Sequence, residues 1–410
     1  MAYYASNLGR VSLAKQASWG TKQTTFGAST YAECEITTPT LAREALMTEA
    51  YRGGYYANRI SAGSREGATA TIRMPLHGWS AATPGADPTS SNLSVDALLF
   101  EYVLGGTDYT TGLYGKTVSS YSAPVVEASG SPTTCVANAV LVPTAADQST
   151  HSVGWVKTLA SADMTMTNDL SDAAVPGGSA DLYGSITNFM STAQPSVPLA
   201  MEVLGEDASA RIIAFDGLVT RVKLEFGAKS QPMIEAELTF ADWIFMGSGG
   251  DPGLYTYSLP QLPASTGTTG AIVRSNGTAV PVASMECEFT CEYQPVLNHS
   301  SSEGVSQYVI TDRSAVLTME LLVGTLGDSE VKAPGDTYTN LQADLNTSTP
   351  GAAFSLFMPV GQVNEQSTLG DSEGIVSVTH SIGPAYYAGD TGTGDGSTNA
   401  IDTPVRVAFM

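Results

Sequence analysis

The sequence predicts a mainly β protein built from two tandem copies of one unit, each copy with a single helix. Three observations carry that prediction. Only 14 % of the 410 residues are charged, against roughly a quarter in an average soluble domain, so Ser, Thr, Asn, Gln and backbone must supply much of the polar surface. The 41 Gly and 21 Pro suit frequent turns between strands. Apolar and polar residues also alternate with a period of two in segment after segment, the spacing of a half-buried antiparallel strand.

Taken in chain order, the first clear strand is 69–76. A helix over 95–104 follows, with Ser94 as N-cap, an apolar stripe of Leu98, Leu99, Tyr102 and Val103, and Gly105-Gly106 as its stop. Strands are expected at 211–215 and 220–226, where Arg221, Lys223 and Glu225 alternate with Val222, Leu224 and Phe226. In 233–240, Ile234, Ala236, Leu238 and Phe240 alternate with Glu235, Glu237 and Thr239. In 285–293, Met285, Cys287, Phe289, Cys291 and Tyr293 alternate with Glu286, Glu288, Thr290 and Glu292. Further strands are expected at 315–323, 354–358, 375–382 and 404–409. The spacing of Tyr338, Leu341 and Leu345, after Asp336 or Thr337 as cap, predicts a second helix over 338–345.

Two copies are read from order. Glu33-Cys34-Glu35-Ile36-Thr37 returns as Glu286-Cys287-Glu288-Phe289-Thr290. Each copy is followed by a polar loop, an Arg-containing turn (Ser64-Arg65, Asp312-Arg313), a strand, a helix and closing strands. The expected organisation is an N-terminal arm (1–27), a first unit (28–250) interrupted by an insertion at about 107–197, a connector (251–279) and a second unit (280–410).

The net charge is −22, from 40 acidic against 18 basic residues. That balance argues against nucleic-acid affinity, which comes from Lys and Arg, and suits a wall along which DNA slides without sticking. It also serves plain solubility or a saline habitat. No segment reaches the roughly 18 apolar residues of a membrane span, and the start, Met1-Ala-Tyr-Tyr-Ala-Ser-Asn, reads as no signal peptide. Cys34, Cys135, Cys287 and Cys291 are expected as reduced, buried thiols.

No catalytic constellation stands out. There is no Gly-x-Ser-x-Gly elbow, P-loop or dinucleotide fingerprint. His77, His151, His299 and His380 lack metal-ligand spacing, and Cys287 and Cys291 on one strand stand about 13 Å apart, too far to share a zinc. Asp390, Asp395 and Asp402 faintly resemble a calcium loop, but Gly392 and Gly394 occupy ligand positions. The sequons at Asn92, Asn276, Asn298 and Asn346 matter only on a secretory route. No enzyme activity, metal or cofactor is expected.

The order of several segments resembles the major tail tube protein family of tailed bacteriophages. The carrying residues are Trp19-Gly20-Thr21-Lys22-Gln23-Thr24 with Phe26-Gly27, the loop 43–64 leading into Gly67-Ala68-Thr69-Ala70-Thr71-Ile72, and the helix ending at Gly106. Ile213-Ala214-Phe215-Asp216-Gly217 follows with 219–226 and 234–240, then Asp312-Arg313-Ser314-Ala315, Phe357-Met358-Pro359-Val360 and Gly374-Ile375-Val376. The resemblance implies β-sandwich or half-barrel units, each with one flanking helix, in rings stacked into a tube that conducts DNA during ejection. With two units per chain it implies homotrimeric, pseudo-six-fold rings rather than hexamers. It also implies tape measure, tail terminator and tail tip proteins as partners, a place in the virion tail, and synthesis in the host cytoplasm. A loop reaching between rings is implied at 43–64, with Glu44, Glu49, Tyr51, Arg52, Tyr55, Tyr56 and Arg59 as contact candidates and 294–307 as its counterpart. Candidates for a lumen-facing acidic lining are Glu33, Glu35, Glu235, Glu237, Glu286, Glu288 and Glu320. The alternatives are another virion assembly protein, such as a distal tail or decoration protein, and a surface adhesin or glycan-binding β module. A secreted glycan-active enzyme comes last, for want of catalytic groups.

Overall fold

The computed structural model describes residues 9–23, 26, 31–36, 40–52, 55–77, 87–88, 93–113, 115–144, 151–167, 170, 181–204, 211–227, 231–246, 272–298, 305–323, 331–345, 350–372, 374–385, 387 and 403–410. The chain opens with β1 (Gly9–Lys15), β2 (Tyr31–Ile36), β3 (Thr40–Arg52), β4 (Tyr55–Pro75), the helix α1 (Val95–Leu104) and β5 (Gly105–Tyr109). Then come β6 (Val118–Ser122), β7 (Val125–Ala128), β8 (Ala139–Pro143), β9 (His151–Ala160) and β10 (Asp163–Met166). These lead to β11 (Ile186–Met190), β12 (Leu199–Leu204), β13 (Arg211–Gly227) and β14 (Met233–Met246). The remainder holds β15 (Ile272–Ser275), β16 (Thr278–Val280), β17 (Val282–Leu297), β18 (Val305–Leu322) and β19 (Thr337–Leu345). Last are β20 (Phe354–Val363), β21 (Thr368–Ser372), β22 (Ile375–Pro384) and β23 (Arg406–Phe409). The protein is thus mainly β, as expected.

Eight strands stand side by side in one antiparallel run, β3–β4–β14–β13–β17–β18–β22–β21. Its first four and last four members share one order. In each, a hairpin (β3–β4, β17–β18) lends its second strand to the second strand of a later hairpin (β13–β14, β21–β22). The joint between the two sets pairs Arg221–Gly227 of β13 with Ser284–Thr290 of β17. Period-two alternation sets the faces. Ile72, Ala236, Val222, Phe289 and Ala315 lie in one cross-strand row, and each is 3 % exposed or less.

Long strands also leave this run. The first part of β13 pairs with β12, β12 with β1, β1 with β2 and β2 with β4, so β1–β12–β13–β14–β4–β2 returns to its start. On the C-terminal side, β20 pairs with β19, β22 and β23, and β19 also pairs with β15. Helix α1 is enclosed by these strands. Every residue of it except Glu101 is buried, and Phe100 meets Phe289 edge-on at 5.4 Å and tilts against Phe409 at 5.8 Å. Ser94 accepts from Ala97 N as the expected N-cap. Gly105 ends the helix at φ +93°, and a Cβ there would collide with the Arg313 guanidinium.

Residues 110–185 leave and return between β5 and β11, which pair with each other. Within them, β6–β7–β10–β9–β8 form a separate five-stranded sheet. Its own core includes Val126, Val140, Val156 and Met164. It docks through Trp155, which stacks on Phe357 at 5.1 Å and donates through Nε1 to Ser355 Oγ at 3.0 Å.

Several expectations are corrected. Residues 338–345 are not a helix but β19, held between β20 and β15. Tyr338, Leu341, Ala343 and Leu345 all join the main core, and the change of parity between the first two falls at Asn340, whose φ is +48°. That kink imitates a helical three-residue step. One helix, α1, is therefore present among the described residues, rather than one per unit. The segment 43–64 is not a loop but most of a long hairpin, with Thr40 opposite Thr69 and Arg52 opposite Tyr55. Likewise 294–297 and 305–307 extend the β17–β18 hairpin, and Ser64-Arg65 and Asp312-Arg313 lie inside strands rather than in turns. Residues 251–271 of the expected connector and Asp390, Asp395 and Asp402 lie outside the described residues.

Candidate functional site: an ion-paired sheet face

The face of the eight-stranded run opposite its core row collects the charged members of the alternation. Arg221 on β13 sits at its centre. Its Nε donates to Glu288 at 2.9 Å, and its Nη1 donates to Glu237 at 2.8 Å and Glu235 at 3.2 Å. Two positions on, Lys223 Nζ reaches Glu225 at 2.6 Å and Glu286 at 2.9 Å. Arg73 on β4 approaches Glu225 at 3.6 Å. Further along, Ser284 donates to Glu320 at 3.1 Å, and Thr290 and Ser314 bond across at 2.6 Å.

Register explains the network. Arg221 faces Thr290 and Glu237 as direct neighbours, and Lys223 lies between Glu235 on β14 and Glu288 on β17. Diagonal reach across adjacent strands brings in the remaining carboxylates. The Glu288 hydrogen bond, then the Glu237 contacts, hold the Arg221 guanidinium above its ordinary pKa against the opposing effect of burial. The bond from Lys223 holds Glu225 below the usual carboxylate range, and the bonds to Glu225 and Glu286 raise Lys223. Three cations, Arg73, Arg221 and Lys223, thus stand among six carboxylates, Glu225, Glu235, Glu237, Glu286, Glu288 and Glu320, a balance of −3.

Of the acidic candidates, Glu235, Glu237, Glu286, Glu288 and Glu320 are therefore brought onto one face. The side chains of Glu33 and Glu35 lie outside the described residues, although β2 places Glu35 opposite Arg73. The side chains of Glu44, Glu49, Tyr51, Arg52, Tyr55, Tyr56 and Arg59 also lie outside them; their backbones form the far half of the β3–β4 hairpin. The roles of Arg73, Arg221 and Lys223 were missed. Alternation placed Arg221 and Lys223 on a polar face, but only register shows which carboxylates they serve.

Elsewhere, polar groups are committed to structure. Arg313 donates to the carbonyls of Val103, Ser191 and Ala193 behind the C-terminus of α1. Cys34, Cys135, Cys287 and Cys291 are buried thiols, and burial pushes Cys34 up to about 12 and Cys291 up to about 11. Among the described residues, no group of His, Cys, Asp and Glu is arranged to hold a metal ion. No family model matches the chain, and no curated protein matches it in sequence.

Proposed function

We propose that the chain is a structural subunit of a tube, the major tail tube protein of a tailed virus, which builds rings that stack around a DNA-conducting lumen. The observation that carries this reading is the eight-stranded run, in which one four-strand order occurs twice and the described part of one face carries mostly Glu, Arg, Lys, Ser and Thr, with Val316 among them. Two four-strand units per chain make a trimer pseudo-six-fold. The paired carboxylates keep the face hydrated, and their excess over the cations repels phosphate weakly. Arg221 and Lys223, being already bonded to carboxylates, offer no free cation for DNA to grip. The five-stranded sheet of 118–166 decorates the outside in this reading.

Negative-stain electron microscopy of the concentrated protein tests it. Rings or stacked hollow tubes with three-fold or pseudo-six-fold end views are the expected result. True six-fold rings of whole chains would keep the tube and remove the two-unit argument. A protein that forms no ring or tube, alone or on isolated tail tips, would overturn the reading.

A further inference from the structure

We infer that the contact between the five-stranded sheet and the strands beneath it is a proton-dependent latch: protonation of Asp344 tightens it, and ionisation of Asp344 loosens the sheet about the neck formed by β5 and β11. Residues 110–185 are tied to the rest of the chain in two ways. One is the neck, where β5 pairs with β11 and Thr110 N donates to Ser185 O at 3.0 Å. The other is a lateral contact. β19, β20 and β23 turn Leu341, Leu356 and Val407 to the main core, and alternation turns Gln342, Asp344, Ser355, Phe357 and Arg406 the other way. There Ala353, Phe357 and Ala408 pack against Leu141, Val153 and Trp155 of the sheet.

Two polar links across this contact end on one carboxylate. Trp155 Nε1 donates to Ser355 Oγ at 3.0 Å, and that hydroxyl donates to Asp344 Oδ1 at 2.7 Å. Gln342 Nε2 donates to Val153 O at 3.1 Å and to Asp344 Oδ2 at 2.8 Å. From β15, Arg274 Nη1 reaches Asp344 Oδ2 at 3.3 Å. Two further charged or titratable groups share the contact. Arg406 on β23 donates through Nη1 to Ala137 O at 3.5 Å, and His151 on β9 lies against Tyr183 at 5.7 Å between ring centres. Closing the sheet takes water away from Asp344, which is 1 % exposed. An ionised carboxylate loses far more solvation on closure than a neutral one does. Burial outweighs Arg274 and the hydrogen bonds and pushes the carboxyl up to about 6; with the sheet swung away, water returns and the value falls towards the ordinary 3.8. The closed form therefore binds the proton more tightly. Closure strengthens as pH falls from about 6 towards 4 and weakens as pH rises through that range, by about tenfold between pH 7 and pH 5. Charging His151 would act in the opposite sense, adding a further cation to a buried contact as pH falls. The inference is independent of the tube reading.

Hydrogen exchange of the Trp155 indole Nε1–H in the full chain reads the opening directly, because Ser355 holds that proton only while the sheet is closed. It is followed by NMR and corrected for the pH dependence of free indole. Protection is expected to be about tenfold greater at pH 5 than at pH 7. At both it should stay at least about tenfold below that of the β13 and β17 amides, which exchange by unfolding. Asp344→Asn should flatten the profile at the protected level. Should that variant fail to fold, Arg274→Gln supplies the test: removing the cation that holds the carboxyl down should move the midpoint to higher pH. Protection that rises with pH would overturn the latch and assign the response to His151. A slope that survives Asp344→Asn, or a midpoint that Arg274→Gln does not raise, would also overturn it. So would indole protection equal to that of β13 and β17, because the sheet would then leave only when the whole chain unfolds. None of these failures touches the tube reading, which microscopy tests separately.

Discussion

Asp344 shows how one residue couples burial to pH. It is 1 % exposed on β19 and accepts from Gln342 and from Ser355, with Arg274 at 3.3 Å. Burial pushes its carboxyl up to about 6, against the opposing pull of Arg274 and both hydrogen bonds. A raised carboxyl binds its proton more tightly in the folded than in the unfolded chain, so its contribution to stability grows as pH falls from about 6 towards 4. Asp344→Asn should flatten that part of the profile, as measured by urea midpoints at closely spaced pH values. An unchanged slope would show that Arg274 keeps the carboxylate ionised. His77 acts in the same direction. Burial pulls its imidazole down, but Asp96 at 3.1 Å outweighs this and leaves the pKa raised, so that pair weakens as pH rises through it.

At the scale of elements, the joint between β13 and β17 has two components. Backbone pairing runs over Arg221–Gly227, and Arg221 ties Glu288 on β17 to Glu235 and Glu237 on β14. Each ion pair is partly exposed and so weak alone, but the three share one guanidinium. Arg221→Ala leaves three carboxylates facing one another. It should cost about 1 kcal/mol at low ionic strength and less in 1 M salt, read from denaturation midpoints at both salts. A salt-independent loss would place the residue's value in packing of its stem instead. This scale is also where sequence reading did best and worst. Every expected strand is present, because alternation reports one-sided burial directly. The 338–345 error has the same root: Asn340 breaks the alternation locally, and Gln342 and Asp344 are buried on the second face beneath the 110–185 segment.

Across the whole molecule, Trp155 links the five-stranded sheet to the rest. It is 1 % exposed, stacks on Phe357 and bonds Ser355, which in turn bonds Asp344. Trp155→Ala should cost about 3–5 kcal/mol, the usual range for emptying a buried aromatic site. In hydrogen exchange, β8, β9 and β10 should lose protection well before β13 and β17. Equal loss everywhere would show one cooperative unit instead.

By itself the sequence determined the β class, the strands, α1 with both of its caps, the buried thiols and an acidic polar face. These depend on local periodicity, on cap chemistry and on which residue types tolerate burial. The tertiary structure alone decided three other things. It merged 211–215 and 220–226 into one strand that serves three neighbours, β12, β14 and β17, turned the supposed loop 43–64 into a hairpin, and distributed Arg73, Arg221 and Lys223 among their carboxylates. The physical reason is that a strand's neighbours are chosen by long-range register. A polar residue such as Glu288 carries the same alternation whether it meets water or, as here, a guanidinium from a strand 67 residues away.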